Sequence, residues 1–178
     1  MPRIDGNLAD GEWQKAQELT LARDHRDRSA TPASTAWAGY TDEFLYLAVD
    51  SPISQGKALQ IDGDWGKADA LEIALRPAGL ATDAPILILH GYLHGRLGAA
   101  TSGGMTAEAA KQASDACQFK AQVQGPTRWT AEIAIPWSAI PGSKGQPTPL
   151  QFNVTCRKVA DNLWLMWHPT GRHSYGVG

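Results

Sequence analysis

Apolar and polar residues alternate in short runs along most of this chain, and clusters of Gly, Pro, Asp and Asn separate the runs. A period of two marks strands with one face buried. The stretch "STAWAGYTDEFLYLAVD" predicts a hairpin that turns at Thr41-Asp42-Glu43. Its second arm puts Leu45, Leu47 and Val49 on one face, and Phe44, Tyr46 and Ala48 on the other. In "DALEIALRP", Leu71, Ile73 and Leu75 point one way, and Ala70, Glu72 and Ala74 the other. "APILILHGYLHG" is more evenly apolar, which predicts a buried central strand.

The second half repeats the pattern. "CQFKAQVQ" directs Cys117, Phe119, Ala121 and Val123 inward. "RWTAEIAIPW" aligns Trp129, Ala131, Ile133 and Ile135, and Pro136 ends the run. "LQFNVTCRKV" and "NLWLMWHP" read as two more strands with a turn at Asp161-Asn162. Helix signals are few. "DGEWQKAQEL" suits one turn capped by Asp10, and "MTAEAAKQASDA" has helix propensity with little amphipathic face. Eight or more strands with so little helix predict an all-β antiparallel sandwich of two packed sheets.

Composition narrows the function classes. The chain has 178 residues, of which 43% are hydrophobic and 19% charged, so one folded domain spanning 1–178 is expected, excised from a larger protein. A net charge of −2 with no basic run gives no reason to expect nucleic acid or a membrane as partner. Cys117 and Cys156 make no metal motif; both fall on core-facing positions, either as free thiols or as one bridge between the sheets. Seven Trp against four Tyr and three Phe is a large share for core filling, because a buried indole N–H needs a partner. Some indoles are expected to face a ligand.

The order of motifs resembles the family 9 carbohydrate-binding modules and their relatives among the heme- and sugar-binding β-sandwiches. "IDGNLADGEWQKA" is similar to that family's opening, and "GYTDEFLYLAVD" to its hairpin. "DWGKADALEIALRP" and "RWTAEIAIPWSAI" look like its Trp- and Glu-bearing strands, and "QFNVTCRK" with "HSYGVG" resembles its close. The likeness runs from Ile4 to Gly176. It implies non-catalytic binding of a mono-, oligo- or polysaccharide by a module of a secreted parent, extracellular or periplasmic, with that parent's other domains as further partners.

Sugar recognition needs an aromatic face for the C–H side of a pyranose and polar groups for its hydroxyls. The resemblance assigns Trp65 and Glu72 to these roles. The family clamps its sugar with a second Trp in the loop before the last strand; here that loop, "HPTGRHS", carries Arg172 and His173 instead. Trp167 or Tyr175 is then the substitute ring, and His90 lies on the strand that supplies polar side chains. Asp62, Asp64 and Asp69 could help to hold a structural calcium ion, which accompanies the family fold. Two rival readings use other residues. Heme b would be ligated by Met166, His90, His94, His168 or His173. A glycosidase would pair Glu72 with Glu132. A third is a structural module without small ligand. No other catalytic motif is present.

Overall fold

A computed structural model describes residues 2–8, 11–171 and 173–175. Ten strands and one α-helix are defined among the described residues. They are β1 (Gln17–Arg23), β2 (Ser29–Tyr40), β3 (Phe44–Pro52), β4 (Ala70–Pro77), β5 (Leu87–Tyr92), β6 (Leu97–Ala100), α1 (Ala107–Ala116), β7 (Gln118–Val123), β8 (Arg128–Pro136), β9 (Leu150–Lys158) and β10 (Leu163–Met166). Every pairing is antiparallel, in the order β6-β5-β4-β9-β10-β1-β2-β3-β8-β7.

This order folds over on itself. The half from β6 to β10 lies against the half from β1 to β7, and their inner faces share one apolar core. Leu71, Ile73, Leu87, Leu89, Val154 and Leu165 come from the first layer; Leu19, Leu21, Leu47, Val49, Trp129 and Ile133 come from the second. Alternation sets this up, since a period of two delivers each apolar set to one side of its strand. The two-layered all-β expectation holds, with one refinement: the layers are a single hydrogen-bonded ribbon, joined at β1–β10 by one bridge, Arg23 opposite Met166.

Three local readings are corrected, and one open alternative is decided. Residues 12–15 form a turn rather than a helix, and the chain enters β1 at Gln17; Asp10 lies outside the described residues. Trp13 explains the difference, because its indole N–H donates to Glu132 Oε1 at 2.8 Å and that bond fixes the segment. β5 is buried as expected but lies next to the edge strand of its layer. β7 is itself an edge strand, so Val123 is 49% exposed while Phe119 still packs on the core. Cys117 and Cys156 are both free thiols, with Cys156 buried and Cys117 half-buried at the end of α1.

The outer face of the second layer is covered by the N-terminal segment. Glu132, fully buried, accepts from Asp5 N (2.9 Å), Gly6 N (2.7 Å) and Trp13 Nε1. Thr130 Oγ1 donates to Gly6 O at 2.6 Å. The segment therefore seals β8 from the outside, which is why Thr130, Glu132 and Ala134 are buried on a face that alternation alone would leave wet.

Candidate functional site

The outer face of the first layer carries a different row. His90, Glu72, Thr155, Met166 and Arg23 stand opposite one another on β5, β4, β9, β10 and β1. Arg23 joins it because the β1 register shifts between Leu21 and Arg23. Strict alternation would send Arg23 inward with Leu19 and Leu21; a bulge re-aims it.

Trp65 lies on this row. It sits in the loop between Gln60 and Asp69, where Gly63 and Gly66 take positive φ angles of 133° and 87° that other residues rarely adopt. Its ring stacks on the His90 imidazole, with centroids 3.9 Å apart and planes 8° from parallel. Trp164 meets it edge-on at 5.2 Å and 73°. His90 in turn bonds Glu72 Oε2 through Nε2 at 2.8 Å. Glu72 is 2% exposed, and its Oε1 is buried with no hydrogen-bond partner. Glu72, which the resemblance assigns to sugar hydroxyls, is thus not open to solvent. The carboxylate lies under His90 and holds the imidazole that supports the indole.

The Trp65 loop is pinned at both ends. Asp69, fully buried, accepts from Gln60 N at 2.8 Å and from Val159 N at 2.7 Å. Burial pushes its carboxyl above the ordinary range, and those two N–H groups oppose the shift. Arg157 donates through Nε to Gly66 O at 3.1 Å, and its guanidinium lies 4.9 Å from the Trp164 ring. Burial lowers the Arg157 pKa, opposed by the charge of Asp69.

One face of Trp65 is covered by His90, so a ligand ring can use only the other. A cavity of about 270 Å³ beside it is lined by Trp65, Trp164, Met166, His25, His173 and Tyr175, and not by His90. The structure therefore brings Tyr175 and His173 to Trp65, from the loop where the second aromatic was expected. His173 and Tyr175 stack on each other at 5.2 Å. Arg172 lies outside the described residues. Trp167 lines a neighbouring cleft and is backed by Phe152, 4.7 Å away. His25, Trp164 and Arg157 were not singled out as site residues from the sequence. Trp164 shares a strand face with Met166, which offered the only hint; Arg157 and His25 are placed by contacts far along the chain.

The three acids of the loop, candidates for a structural calcium ion, do not converge on one point. Asp64 is exposed and paired with Arg96 at 2.9 Å, Asp62 is exposed, and both Asp69 oxygens are taken up by backbone N–H groups. Among the described residues no three His, Cys, Asp or Glu side chains converge as metal ligands. Of the proposed heme ligands, only Met166 and His173 share a cavity. His90 is held by Glu72, His94 stacks on Tyr92 at 5.3 Å, and His168 lines the Trp167 cleft. Glu72 and Glu132 face outward from different layers, on opposite sides of the sandwich, so they cannot flank one glycosidic bond.

A larger cavity of about 640 Å³ opens beside Trp13, Tyr40, Leu45, Leu150 and Phe152. Its Trp13 N–H and the Glu12 carboxylate are already bonded, to Glu132 and Arg3 N. It holds none of the residues singled out for sugar binding.

No family model matches the chain, and no curated protein matches it in sequence. Solved structures do. A family 9 carbohydrate-binding module from Caldicellulosiruptor kristjanssonii in complex with cellotriose superposes with a TM-score of 0.67 at 13% identity, covering 99% of this chain and 85% of that one. The same module in complex with glucose gives 0.63 at 14% identity, over 96% and 87%. A candidate carbohydrate-binding protein from Bacteroides uniformis gives 0.62 at 13% identity, over 91% and 81%. At such low identity the likeness is one of architecture: the chain shares the β-sandwich fold of these carbohydrate-binding modules.

Proposed function

We propose that this domain binds carbohydrate without acting on it, holding one pyranose ring against the open face of Trp65. The observation that carries the reading is the propped indole: Trp65 is backed by His90 at 3.9 Å, braced by Trp164 at 5.2 Å, and lines a small cavity together with His25, His173 and Tyr175. Stacking on a rigid indole supplies affinity, and the imidazoles and the tyrosine hydroxyl supply hydrogen bonds to ring hydroxyls. Tyr175 takes the place of a second tryptophan. The shared fold with modules solved in complex with cellotriose and glucose supports the sugar class. In this reading the domain belongs to an extracellular protein and attaches its other domains to polysaccharide.

Titration calorimetry with glucose and cellotriose tests the proposal. Both sugars should bind with a stoichiometry near one, and Trp65→Ala should weaken binding by about tenfold or more, ~1.4 kcal/mol. Absence of binding to either sugar, or unchanged affinity in Trp65→Ala, overturns it.

A further inference from the structure

We infer that a second subsite adjoins the first and takes an acidic sugar residue, one bearing a carboxylate or a sulfate; the inference rests on the carbohydrate reading above. The subsite is the Trp167 cleft, a cavity of about 580 Å³ lined by Arg23, His25, Arg26, Asp27, Trp167 and His168 among others. His25 also lines the Trp65 cavity, so the two are neighbours across one side chain.

Trp167 is a fixed platform. It is 38% exposed, its backbone N–H donates to Val154 O at 3.0 Å, and the Phe152 ring backs it with planes 23° apart. The opposite wall is the β1–β2 turn, which is equally defined. Asp24 Oδ1 accepts from Arg26 N at 2.8 Å and Arg28 N at 3.0 Å. Gly171 N donates to His25 O at 2.8 Å and seats the turn against the loop after Trp167.

The charges at this cleft do not cancel. Asp27 is taken by Arg23, Nη1 to Oδ1 at 2.8 Å, and Asp24 by Arg28, Nη2 to Oδ2 at 2.6 Å. The Arg26 guanidinium is left without a partner among the described residues, as are the ring nitrogens of His25 and His168. A free guanidinium beside an exposed indole, on a chain of net charge −2, is an anion site with a stacking floor. Its fork of N–H groups matches the two oxygens of a carboxylate or sulfate. A neutral sugar stacked on Trp167 would offer Arg26 only hydroxyl acceptors, whereas a carboxylate or sulfate also matches its charge and its two-pronged donor geometry. The ligand class that engages both cavities is an oligosaccharide with an acidic unit beside the one held by Trp65.

Calorimetry with three trisaccharides of one backbone tests this: cellotriose, its form oxidised to uronate at C6, and its 6-sulfated form. The acidic forms should bind about five- to tenfold more tightly than cellotriose in 50 mM NaCl, and the advantage should shrink in 300 mM NaCl. Arg26→Gln should remove the advantage and leave glucose affinity unchanged. Trp167→Ala should weaken the trisaccharides and leave glucose unaffected. Whichever acidic form gains more identifies the anion. Equal affinity for neutral and acidic forms, or an advantage that survives Arg26→Gln, overturns the subsite while glucose and Trp65→Ala still report on the first one. Failure of glucose and cellotriose to bind is instead a failure of the carbohydrate reading.

Discussion

His90 lies flat against Trp65, 3.9 Å between centroids, and is held there by Glu72 at 2.8 Å. The stack makes Glu72 a positioning residue that acts through the imidazole. His90→Ala should cost about 3 kcal/mol, because it leaves the whole Glu72 carboxylate buried and unpartnered. Glu72→Gln, which keeps a hydrogen bond to His90, should cost less, about 1 kcal/mol. Urea denaturation of both variants checks the order. Equal losses would mean that the pair contributes through packing alone.

Asp69 holds the two ends of the Trp65 loop to the β9–β10 turn through Gln60 N and Val159 N. Asp69→Ala should lower stability by about 2–4 kcal/mol, since two backbone donors lose their acceptor. Tryptophan emission should shift to the red as Trp65 and Trp164 gain water. Unshifted emission would place the loop's restraint elsewhere.

Glu132 collects three N–H groups from the N-terminal segment. Glu132→Ala should destabilise by about 4 kcal/mol and open residues 2–8 to proteolysis under conditions where the native chain resists it. Mass spectrometry of the first cleavage site provides the measurement.

Asp24 is held at about 2 by its side-chain hydrogen bond with Arg28, with burial opposing. A depressed folded pKa stabilises the fold above the ordinary carboxyl value, and the contribution is lost as pH falls toward 2. The Asp24 carboxyl should therefore titrate near 2 by NMR, and its turn should persist at pH 3. A midpoint near 3.8 would mean that the turn is not closed by this pair.

Burial pushes the Cys156 thiol up to about 11 and Cys117 to about 12. Neither should react with a thiol reagent at pH 8 in the native protein, and both should react in urea. Rapid native labelling of Cys117 would show that the α1–β7 corner opens.

The fold was legible because its signal is local. Leu45, Leu47 and Val49, or Trp129, Ala131 and Ile133, need only alternate for their strands to be read, and the Thr41-Asp42-Glu43 turn announces itself. The covered faces were not legible. Nothing near Glu132 in sequence says that Trp13, 119 residues away, will bond to it. At the site, Trp65 stood out by the resemblance and by its place ahead of the Glu72 strand, but the burial of Glu72 did not, because it depends on His90, which lies on the next strand and bonds it. Arg23 and His25 were unreadable for a different reason. A one-residue register shift and a hairpin tip decide where they point, and both depend on the pairing of β1 with β2.

The pinning of the Trp65 loop has a consequence for hydrogen exchange and for binding entropy. Loops ordinarily exchange their amides fastest. Here the Gln60 and Val159 amides lie outside any strand yet donate to a fully buried carboxylate, so their exchange should be as slow as that of the strands beside them. A ligand reaching Trp65 would meet a surface whose disorder was removed when the chain folded, and little of its contact energy would be diverted to arranging the loop.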